Sequence, residues 1–382
     1  MLSREDNETL TKVGKGTPAG ELLRRYWQPV AVAAELTPEK PTKAVKILGE
    51  ELVVYRDTSG NYGLVGKHCP HRLAGLVYGR VEEDGIRCPY HGWKFNAAGK
   101  CIETPTEPRE SSLKDRIKHT AYPVEKLGGL LFAYLGPLPA PLLPRWDVLA
   151  WERGRRWVEV LTPLECNWLQ TMENSVDPAH LYWLHGASAQ LGMDHYEEEH
   201  EFLLFEYGIM KRRSTPGKPG EKPRIDQHPL LFPNTLRHVF AVAGRHRHNL
   251  QLRLPVDDNH TLMFVVCFEP SDSERSPRDA DAPFKPFPVR DGVDYRLDQV
   301  WAQDAMAWET QGPTVDRSAE HLGASDRGVA MFRKLVRDQI EVVRNGQDPL
   351  GVVRDESRNR LIEFDVINER IGLMSPERQA VA

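Results

Sequence analysis

The chain has little of several features that would each indicate a particular class of protein. Cysteine is scarce, with 5 residues among 382 at irregular spacing, which argues against a disulfide scaffold and favours a reducing compartment. No run of about 18 apolar residues is present, so no membrane span is predicted. A charge of one sign is also lacking, since 50 Lys+Arg against 55 Asp+Glu leave a net charge of -5, without a basic nucleic-acid footprint. The N-terminus is too charged for a signal peptide, so we expect a cytoplasmic protein.

The composition is that of a folded protein of more than one domain. Apolar residues make up 40% and charged residues 27% of the chain, which is ordinary for a globular protein. Between residues 45 and 135, short apolar runs such as Leu52–Tyr55 and Leu130–Leu135 recur between turn signals, and this spacing predicts a small antiparallel β domain. The segment Gly136–Arg145 contains four prolines and is therefore predicted to be a linker.

Two helices and two turns are predicted from local signals. Residues 10 to 30 have an apolar face, and Thr17-Pro18 has the form of an N-cap followed by the first helical residue. Residues 327 to 344 have apolar groups at a helical period. The segments Asp57–Asn61 and Asn96–Gly99 are predicted to be hairpin turns.

A first set of metal-ligand residues lies within the predicted β domain. Cys69-Pro70-His71 is followed by Cys88-Pro89-Tyr90-His91, a Cys-x-His and Cys-x-x-His pair that suits a four-ligand site. A structural zinc ion would take all four residues, whereas a Rieske [2Fe–2S] cluster would take the cysteines on one iron and the histidines on the other. The one-residue gap in Cys-x-His is short for zinc and favours the cluster. His68, Cys101, Cys166 and Cys267 lie outside the pattern and are interpreted as non-ligating.

A second set lies further along the chain. Asp177-Pro178 predicts the start of a helix, and His180 and His185 follow five residues apart. In a straight helix that spacing separates two side chains by about 140°. The two histidines can therefore share a metal only if the helix distorts or ends between them, and Gly186 directly after His185 offers such an end.

Two histidines and one carboxylate make the facial triad of non-haem iron(II) oxygenases. Asp177 lies three residues before His180 and could be a ligand or a hydrogen-bond partner. Asp326, just before the predicted C-terminal helix, is a distal candidate that could also simply cap that helix. Other carboxylates of the same region are rivals: Asp304, Glu309, Asp316 and Glu320.

The two motifs together resemble the oxygenase α-subunits of Rieske non-haem iron oxygenases, and the resemblance covers nearly the whole chain. Besides the cluster motif, Glu173-x-x-x-Asp177-x-x-His180-x-x-x-x-His185 matches that family's mononuclear iron motif. Gly16–Trp27 and Trp301–Leu322 are similar to the phthalate 4,5-dioxygenase branch. Phe232–Leu236 and Leu254–Asp258 are most similar to 5,5'-dehydrodivanillate O-demethylase oxygenases within it.

The resemblance implies an α+β protein with an antiparallel β Rieske [2Fe–2S] domain and a helix-grip (START-like) catalytic domain. We expect four segments along the chain: an N-terminal helical segment (1–25) that packs on the catalytic domain, the Rieske domain (26–135), the proline-rich linker (136–145) and the catalytic mononuclear iron domain (146–382).

The resemblance also implies roles for the site residues. Cys69, His71, Cys88 and His91 are expected to hold the cluster. The implied ligands of the mononuclear iron(II) are His180, His185 and Asp326. Asp177 is expected to link an iron-bound histidine to His91 or His71 of a neighbouring subunit in a homotrimer, and a carboxylate that orients an imidazole in this way tunes the metal.

The implied activity is that of a terminal oxygenase acting on an aromatic acid with O₂. No flavin or nicotinamide fingerprint occurs in the chain, so we expect electrons from a separate NADH-dependent, ferredoxin-type reductase. The favoured reaction is O-demethylation of a lignin-derived methoxy aromatic acid. Ring cis-dihydroxylation of a phthalate-like acid is the alternative. A Rieske electron-transfer protein without oxygenase activity and a zinc-binding scaffold are candidates from other classes.

Basic side chains that could bind an aromatic carboxylate are concentrated in one stretch of the expected catalytic domain. Arginine forks suit carboxylates, but each of these residues could equally lie on a solvated strand face. The sequence does not single out one of them as the anchor: Lys211, Arg212, Arg213, Arg237, Arg245, Arg247 and Arg253.

Overall fold

Short strands between turns build the first part of the chain, as the spacing of its apolar runs predicts. The computed structural model describes residues 2–186, 199–217 and 220–374. The elements of the first part are, in chain order, α1 (Arg4–Thr11), α2 (Pro18–Leu23), β1 (Trp27–Val32), β2 (Thr42–Ile47), β3 (Glu50–Arg56), β4 (Tyr62–Gly66), β5 (Arg80–Glu82), β6 (Gly85–Arg87), β7 (Lys94–Phe95), β8 (Cys101–Glu103), α3 (Leu113–Arg116), β9 (Ala121–Tyr122), β10 (Val124–Leu127) and β11 (Leu130–Tyr134).

These strands form three antiparallel sheets, in the orders β1-β11-β10, β2-β3-β4-β9 and β5-β6-β7-β8. Both predicted hairpin turns are confirmed. Asp57 Oδ1 accepts the N–H of Asn61 at 2.8 Å between β3 and β4, and Asn96 Oδ1 accepts that of Lys100 at 2.9 Å between β7 and β8. These side-chain bonds add to the backbone bonds of each turn, such as Gly60 N to Asp57 O at 3.0 Å and Gly99 N to Asn96 O at 2.9 Å, which is why Asp and Asn favour such positions.

The single helix predicted for residues 10 to 30 is wrong, although its cap is right. Thr17 Oγ1 accepts the N–H of Gly20 at 3.2 Å and starts α2, with Pro18 as its first residue. A turn separates α1 from α2, and Gly16 there has a φ of 82° that favours glycine. From Trp27 onward the chain is a fully buried strand paired with β11, because tertiary burial overrides the local helical period.

The proline-rich segment between β11 and the next helix contains no helix or regular strand, as predicted. It is nevertheless packed rather than solvated. Trp27 Nε1 donates to Pro141 O at 3.0 Å, and Leu142 forms an isolated bridge with Val353. Leu143 is buried in the main core, so the segment is fixed against both parts of the chain.

The second part of the chain is built around a large sheet. Its elements are α4 (Asp147–Ala150), β12 (Arg153–Leu161), α5 (Trp168–Ser175), α6 (His180–Trp183), β13 (Glu199–Phe205), β14 (Gly208–Thr215), β15 (Arg224–Leu231), β16 (Thr235–Val242), β17 (Arg245–Asp257), β18 (His260–Arg275), β19 (Phe284–Phe287), β20 (Arg290–Asp291), β21 (Asp294–Tyr295), α7 (Val300–Glu309), α8 (Arg327–Arg344) and β22 (Ile367–Asn368).

In the described residues this sheet has nine strands, in the order β13-β14-β15-β16-β17-β18-β12-β19, with β22 beside β15. All of its pairs are antiparallel except β12 with β19. Helix α7 packs on one face, where Ala302 and Trp308 share a buried cluster with Met263 and Cys267 of β18. Together with the first three sheets, this architecture confirms the expected α+β fold with a sheet-and-helix second domain.

Helix α8 covers the predicted range, and its apolar positions lie in the main core. The two N-terminal helices pack on the second part of the chain rather than on the first sheets. Asn167 Nδ2 donates to Thr11 O at 2.8 Å, and Val13 N donates to Asp258 Oδ1 at 2.8 Å. Among the helices of the described residues, none combines the length and the apolar character needed to cross a bilayer.

Candidate metal centres

The four cluster candidates lie in two loops that face each other at one end of the β5–β8 sheet. Cys69 and His71 lie in the loop that follows β4, and Cys88 and His91 lie between β6 and β7. Both cysteines are buried, with exposed fractions of 1% and 3%, whereas both histidines are partly exposed. The arrangement places two thiols on the inner side of the loops and two imidazoles on the outer side.

The two loops have the same backbone hydrogen bonds. In the first, Cys69 N donates to Ala74 O at 2.8 Å and Leu73 N donates to Cys69 O at 2.8 Å. In the second, Cys88 N donates to Trp93 O at 2.8 Å and Gly92 N donates to Cys88 O at 3.1 Å. Leu73 and Gly92 both have positive φ, at 59° and 73°. A leucine in that conformation is strained, and such strain persists only where the surrounding structure holds it.

The two imidazoles lie against each other and against a tryptophan. The ring centroids of His71 and His91 are 4.6 Å apart, and the His71 ring stacks on Trp93 at 4.4 Å with an interplanar angle of 2°. The buried Nδ1 atom of His71 has no hydrogen-bond partner among the described residues. A buried polar atom without a partner is costly, so this atom is suited to a ligand absent from the polypeptide itself.

The thiols also fit a metal cluster. Burial, with a smaller contribution from the neighbouring Cys88 thiol, raises the pKa of Cys69 to about 12. Two adjacent buried thiolates are therefore unstable unless a cation binds them. Burial lowers the pKa of His91, as do the charges of His71 and Arg72, which favours the neutral imidazole that ligates a metal. Two thiolates and two neutral imidazoles are the donor set of a Rieske cluster.

The other residues near the motif are placed as expected. His68 is exposed and its Nδ1 atom lies 3.0 Å from Leu73 O, so it is outside the ligand set. Cys101, Cys166 and Cys267 are buried, and burial raises the pKa of each thiol. Such thiols are protonated at neutral pH and act as small apolar side chains.

The second site is formed by helices α6 and α7. His180 is the first residue of α6, and His185 lies beyond its end at Trp183, so the predicted helix end between the two histidines is confirmed. Asp304, on α7, brings its carboxylate to both rings. Its Oδ1 atom lies 3.8 Å from His180 Nε2 and 3.2 Å from His185 Nε2. One potential ligand atom from each of the three residues lies within 4.8 Å of the others.

The Nδ1 atom of each ring lies within hydrogen-bond distance of an oxygen atom. His180 Nδ1 lies 2.5 Å from Asp177 O, and His185 Nδ1 lies 2.7 Å from Gln303 Oε1. Gln303 is itself fixed, because its Nε2 atom donates to Leu297 O at 2.8 Å. An oxygen at Nδ1 favours the tautomer whose Nε2 lone pair is free to bind a metal, and it also fixes the ring orientation.

Electrostatics favour the protonated form of His185 and the ionised form of Asp177. Burial lowers the pKa of His185, but the hydrogen bond and charge of Asp304 outweigh it, so that the pKa is raised. Burial would raise the pKa of Asp177, but the hydrogen bond with His180 and the N–H of Ala179 lower it overall. A dication between the two imidazoles and Asp304 would replace the proton that His185 otherwise retains.

Asp326, the carboxylate expected from the resemblance, is not brought into this group. Its Oδ2 atom accepts the N–H of Gly323 at 2.6 Å, across the 3-10 turn Ala324–Asp326. Asp326 stands at the N-cap position of α8, but its side chain forms no capping hydrogen bond with that helix. Asp326 lines the same cavity of about 220 Å³ as His180 and Asp177, so it lies near the site. Asp304 is closer because it lies on the helix that faces the two histidines.

Two functional residues could not be identified from the motif spacing. By sequence, Asp304 is one of several possible carboxylates, and no motif points to Gln303. Their one sequence signal is that they are consecutive: Gln303 can accept a hydrogen bond from a histidine, and the neighbouring Asp304 supplies a carboxylate on the same helix. Asn174 adds a weaker contact from α5, with its Nδ2 atom 3.5 Å from Asp304 Oδ1.

Glu173, four residues before Asp177 in the motif, belongs to a buried ion-pair network. Its carboxylate accepts from Arg317 Nη2 at 2.7 Å and from Arg333 Nε at 2.6 Å, and Arg333 continues to Glu320 at 2.7 Å. The network joins α5 to α8, and Glu173, Glu320 and Arg333 line the same cavity as His180. Glu320, a possible iron ligand from sequence, is therefore engaged here instead.

The basic side chains of β14 to β17 separate into distinct environments. Lys211 and Arg213 point to the face of the sheet that α7 covers. Lys211 donates to Ser175 O at 3.0 Å, and Arg213 pairs with Asp226. Arg247 pairs with Glu269 at 2.9 Å, and Arg253 donates to Gln251 Oε1 at 3.1 Å.

Arg237 lies on the opposite face and has a structural role. Its Nε atom lies 3.0 Å from both oxygens of Asp147, and each of the two residues has 1% exposure.

Replacing Arg237 with methionine should lower the free energy of unfolding by about 3–5 kcal/mol, because Asp147 keeps a buried charge without its partner. Thermal unfolding with a double Arg237→Met/Asp147→Asn control measures this. Equal stability of the single variant and the wild type would refute the assignment.

Comparison with known proteins decides what these two centres belong to. Residues 26–123 match the family model described as the Rieske [2Fe-2S] domain, and residues 288–371 match the one described as LigXa C-terminal domain like. The chain is 40% identical to the 5,5'-dehydrodivanillate O-demethylase oxygenase subunit of a Sphingobium species, over 96% of this chain and 87% of that protein. The chain belongs to the oxygenase subunits of the Rieske non-haem iron oxygenases.

Other relatives support the same family. This oxygenase subunit is 35% identical to the phenoxybenzoate dioxygenase subunit alpha of Ectopseudomonas oleovorans, over 91% of this chain and 88% of that one. It is 29% identical to the phthalate 4,5-dioxygenase oxygenase subunit of Pseudomonas putida, over 96% and 92%. Among solved structures, NdmA of Pseudomonas putida CBB5 has the same fold, with a TM-score of 0.69 at 21% identity over 88% of this chain and 97% of that one.

Family membership settles which metals the two centres carry. The loops of Cys69 and Cys88 belong to a Rieske [2Fe–2S] domain, which excludes the zinc alternative. The group of His180, His185 and Asp304 is a two-histidine, one-carboxylate site for mononuclear non-haem iron. The protein is therefore an iron-dependent oxygenase component. Components of this kind use an organic substrate and O₂ and work with a separate reductase.

Proposed function

We propose that this oxygenase subunit removes the methyl group from a methoxy aromatic acid and releases formaldehyde. The observation that carries the proposal is the convergence of His180, His185 and Asp304. Asp304 lies on α7, the helix that packs on one face of the large sheet, and this face is called the inner face below. The 40% identity with a 5,5'-dehydrodivanillate O-demethylase oxygenase subunit supports the choice of reaction. The relatives named for phenoxybenzoate and phthalate support an aromatic acid as the substrate.

The proposal assigns each ligand to one centre. Cys69, His71, Cys88 and His91 would hold the [2Fe–2S] cluster, as the sequence predicts. His180, His185 and Asp304 would hold the mononuclear iron, so that Asp304 takes the place that the family resemblance implied for Asp326. When bound, the two centres supply stored electrons and the activation of O₂.

The reaction balances with an external reductant. An aryl methyl ether, O₂, two electrons and two protons give a phenol, formaldehyde and water. The methyl C–H bond is oxidised and the C–O bond then breaks. We propose an NADH-dependent, ferredoxin-type reductase as the electron source, which places the reaction in the cytoplasm, where NADH is available.

The residues of this chain contribute positioning. Asp177 O and Gln303 Oε1 hold the two imidazoles in orientation, and burial of His185 and Asp304 keeps water away from them. Exclusion of water strengthens the interaction between the carboxylate and whatever cation it binds. Asn174 Nδ2, 3.5 Å from Asp304 Oδ1, restrains the carboxylate from the other side.

We propose a homotrimer in which Asp177 connects the iron site of one subunit with His91 or His71 of the next. Two exposed apolar surfaces support this. Trp183, three residues after His180, is 83% exposed, and Leu73 and Tyr90 beside the cluster are 70% and 55% exposed. Apolar surface of this kind is typical of an interface. Light scattering of the holoenzyme tests the mass, and a monomer with full turnover would contradict the arrangement.

We keep the expected domain division as part of the proposal: a Rieske domain from 26 to 135, a linker from 136 to 145 and a catalytic domain from 146 to 382. The match of residues 26–123 to the Rieske model supports the first boundary. The hydrogen bonds of Asn167 with Thr11, the last residue of α1, and of Val13 with Asp258 support a helical segment, residues 1 to 25, that packs on the catalytic domain.

A panel of methoxylated and carboxylated aromatic acids tests the reaction. With the reconstituted holoenzyme, a surrogate reductase and NADH, we expect formaldehyde in a 1:1 ratio with demethylated product from at least one methoxy acid. Diols from phthalate-like acids, without formaldehyde, would instead establish ring cis-dihydroxylation. If the cluster is reduced but no substrate causes O₂ consumption, the protein is an electron carrier without oxygenase activity.

A further inference from the structure

Two histidines stack on the inner face of the large sheet, outside both metal centres. His228 on β15 and His238 on β16 have ring centroids 4.0 Å apart and an interplanar angle of 12°. His228 is 1% exposed. Neither residue belongs to the iron or cluster motifs, and neither has a role in the O-demethylation proposed above.

The pair has ring nitrogens without partners. His228 Nε2 and His238 Nδ1 are buried and form no hydrogen bond with any described residue. The other nitrogen of His228, Nδ1, lies 2.6 Å from Asp226 Oδ1, a charge contact that does not have the geometry of a hydrogen bond. A carboxylate beside Nδ1 favours a proton there, and Nε2 of the neutral ring is then a hydrogen-bond acceptor.

The charges around the pair keep both rings neutral. Burial lowers the pKa of His228 and His238 well below the usual value, and the cations Lys211, Arg213 and Arg237 lower it further. Asp226 is the acidic group beside them, and it also pairs with Arg213. A group that satisfies the free nitrogen of His228 must therefore donate a proton rather than accept one.

The pair lies on the wall that faces the iron-binding helices. On one side, Lys211 is the register partner of His228 and donates to the carbonyl of Ser175, two residues before Asp177. On the other side, the ring of Phe240 lies 4.4 Å from that of His238 and 6.1 Å from that of Trp301, one helical turn before Asp304. The strand register continues this face through Asn249 to Cys267, which packs with α7.

We propose that His228, with the ring of His238 stacked against it, accepts a hydrogen bond from a free phenolic hydroxyl of the substrate and so selects methoxyphenols over methoxy acids without that hydroxyl. The inference rests on the proposed O-demethylation and narrows its substrate class. A carboxylate only accepts hydrogen bonds and does not match the Nε2 lone pair of His228, whereas a phenol donates one. An ether or a hydrogen atom in that position leaves the buried nitrogen unsatisfied, which is the basis of discrimination.

Substrate pairs that differ only in the hydroxyl test the inference on the wild-type holoenzyme. The probes are 4-hydroxy-3-methoxybenzoate against 3-methoxybenzoate, and 5,5'-dehydrodivanillate against its ether methylated at both phenols. We expect the free phenol of at least one pair to bind about tenfold more tightly in anaerobic calorimetry, the effect of one neutral hydrogen bond. Formaldehyde formation with equal affinities within both pairs would overturn the inference and leave O-demethylation standing. No formaldehyde and no binding with any of the four would overturn both.

Variants distinguish recognition from packing. His228→Leu should reduce the preference for the free phenol from about tenfold to none, while His228→Gln, whose amide oxygen can accept, should keep part of it. His260→Leu, at an exposed position of the β17–β18 hairpin, is the control and should keep the full preference. Equal loss of affinity for both members of a pair in His228→Leu would assign the stack a structural role and refute the inference.

Discussion

Replacing Asp304 with alanine is expected to remove the mononuclear iron and abolish formaldehyde formation, with the [2Fe–2S] spectrum unchanged. The carboxylate is the group on α7 that faces both His180 Nε2 and His185 Nε2, and without it the site retains two neutral ligands. Loss of a residue that only supports a ligand lowers metal affinity about 10- to 100-fold, so loss of the ligand itself should exceed that. Iron content per subunit by elemental analysis, corrected for the cluster, measures it.

Asp326→Ala is the matched control, because Asp326 lines the same cavity and is the carboxylate that the family resemblance suggested. Its side chain accepts the Gly323 N–H, so the change should cost about 1 kcal/mol of stability and leave the iron in place. The opposite pattern, with iron lost in Asp326→Ala and kept in Asp304→Ala, would restore Asp326 as the ligand.

Replacing Cys88 with alanine is expected to eliminate the Rieske cluster while leaving the mononuclear site able to bind iron. Cys88 and Cys69 are the two buried thiols of the matched loops, and one iron of the cluster requires both. Electrons would then have no entry to the chain, so reductase-dependent turnover should fall below detection. The visible absorbance of the oxidised cluster and the EPR signal of the reduced cluster report its loss directly.

Cys101→Ala provides the control within the same core. Cys101 is buried in the same hydrophobic cluster as Cys69 and Cys88, but it lies outside the two loops. The change to alanine deletes one sulfur atom from the core and should leave the cluster spectrum intact. It should lower the free energy of unfolding by roughly 1–3 kcal/mol. Retention of the EPR signal in Cys88→Ala would contradict the assignment of the loops.

The cluster loops could be predicted almost completely from sequence, and the reason is local. The ligands of each loop are two or three residues apart, so their spacing is fixed by the covalent chain. Backbone bonds between residues four and five positions apart then close each loop without help from distant parts of the protein. The helix end between His180 and His185 was predictable for the same reason, since a fixed spacing of five does not fit one helical face.

The third iron ligand could not be predicted in this way. His185 and Gln303 are 118 residues apart in the chain, and several acidic residues between 304 and 326 satisfy the same loose spacing. Only the packing of α7 against β18 directs Asp304 to the histidines and leaves Asp326 at a helix start. The same applies to Arg237, whose partner Asp147 is 90 residues away, and to the stacked His228 and His238.

The sequence by itself determined that this protein has few cysteines, that two of them share loops with histidines in a Rieske pattern, and that a second histidine pair can hold iron. Those conclusions depend on short-range spacing, which the covalent chain sets. The tertiary structure alone decided which carboxylate faces the iron site, which arginines are structural, and which imidazoles line the opposite wall. These depend on contacts between strands and helices far apart in sequence, and burial of those contacts is what fixes their partners.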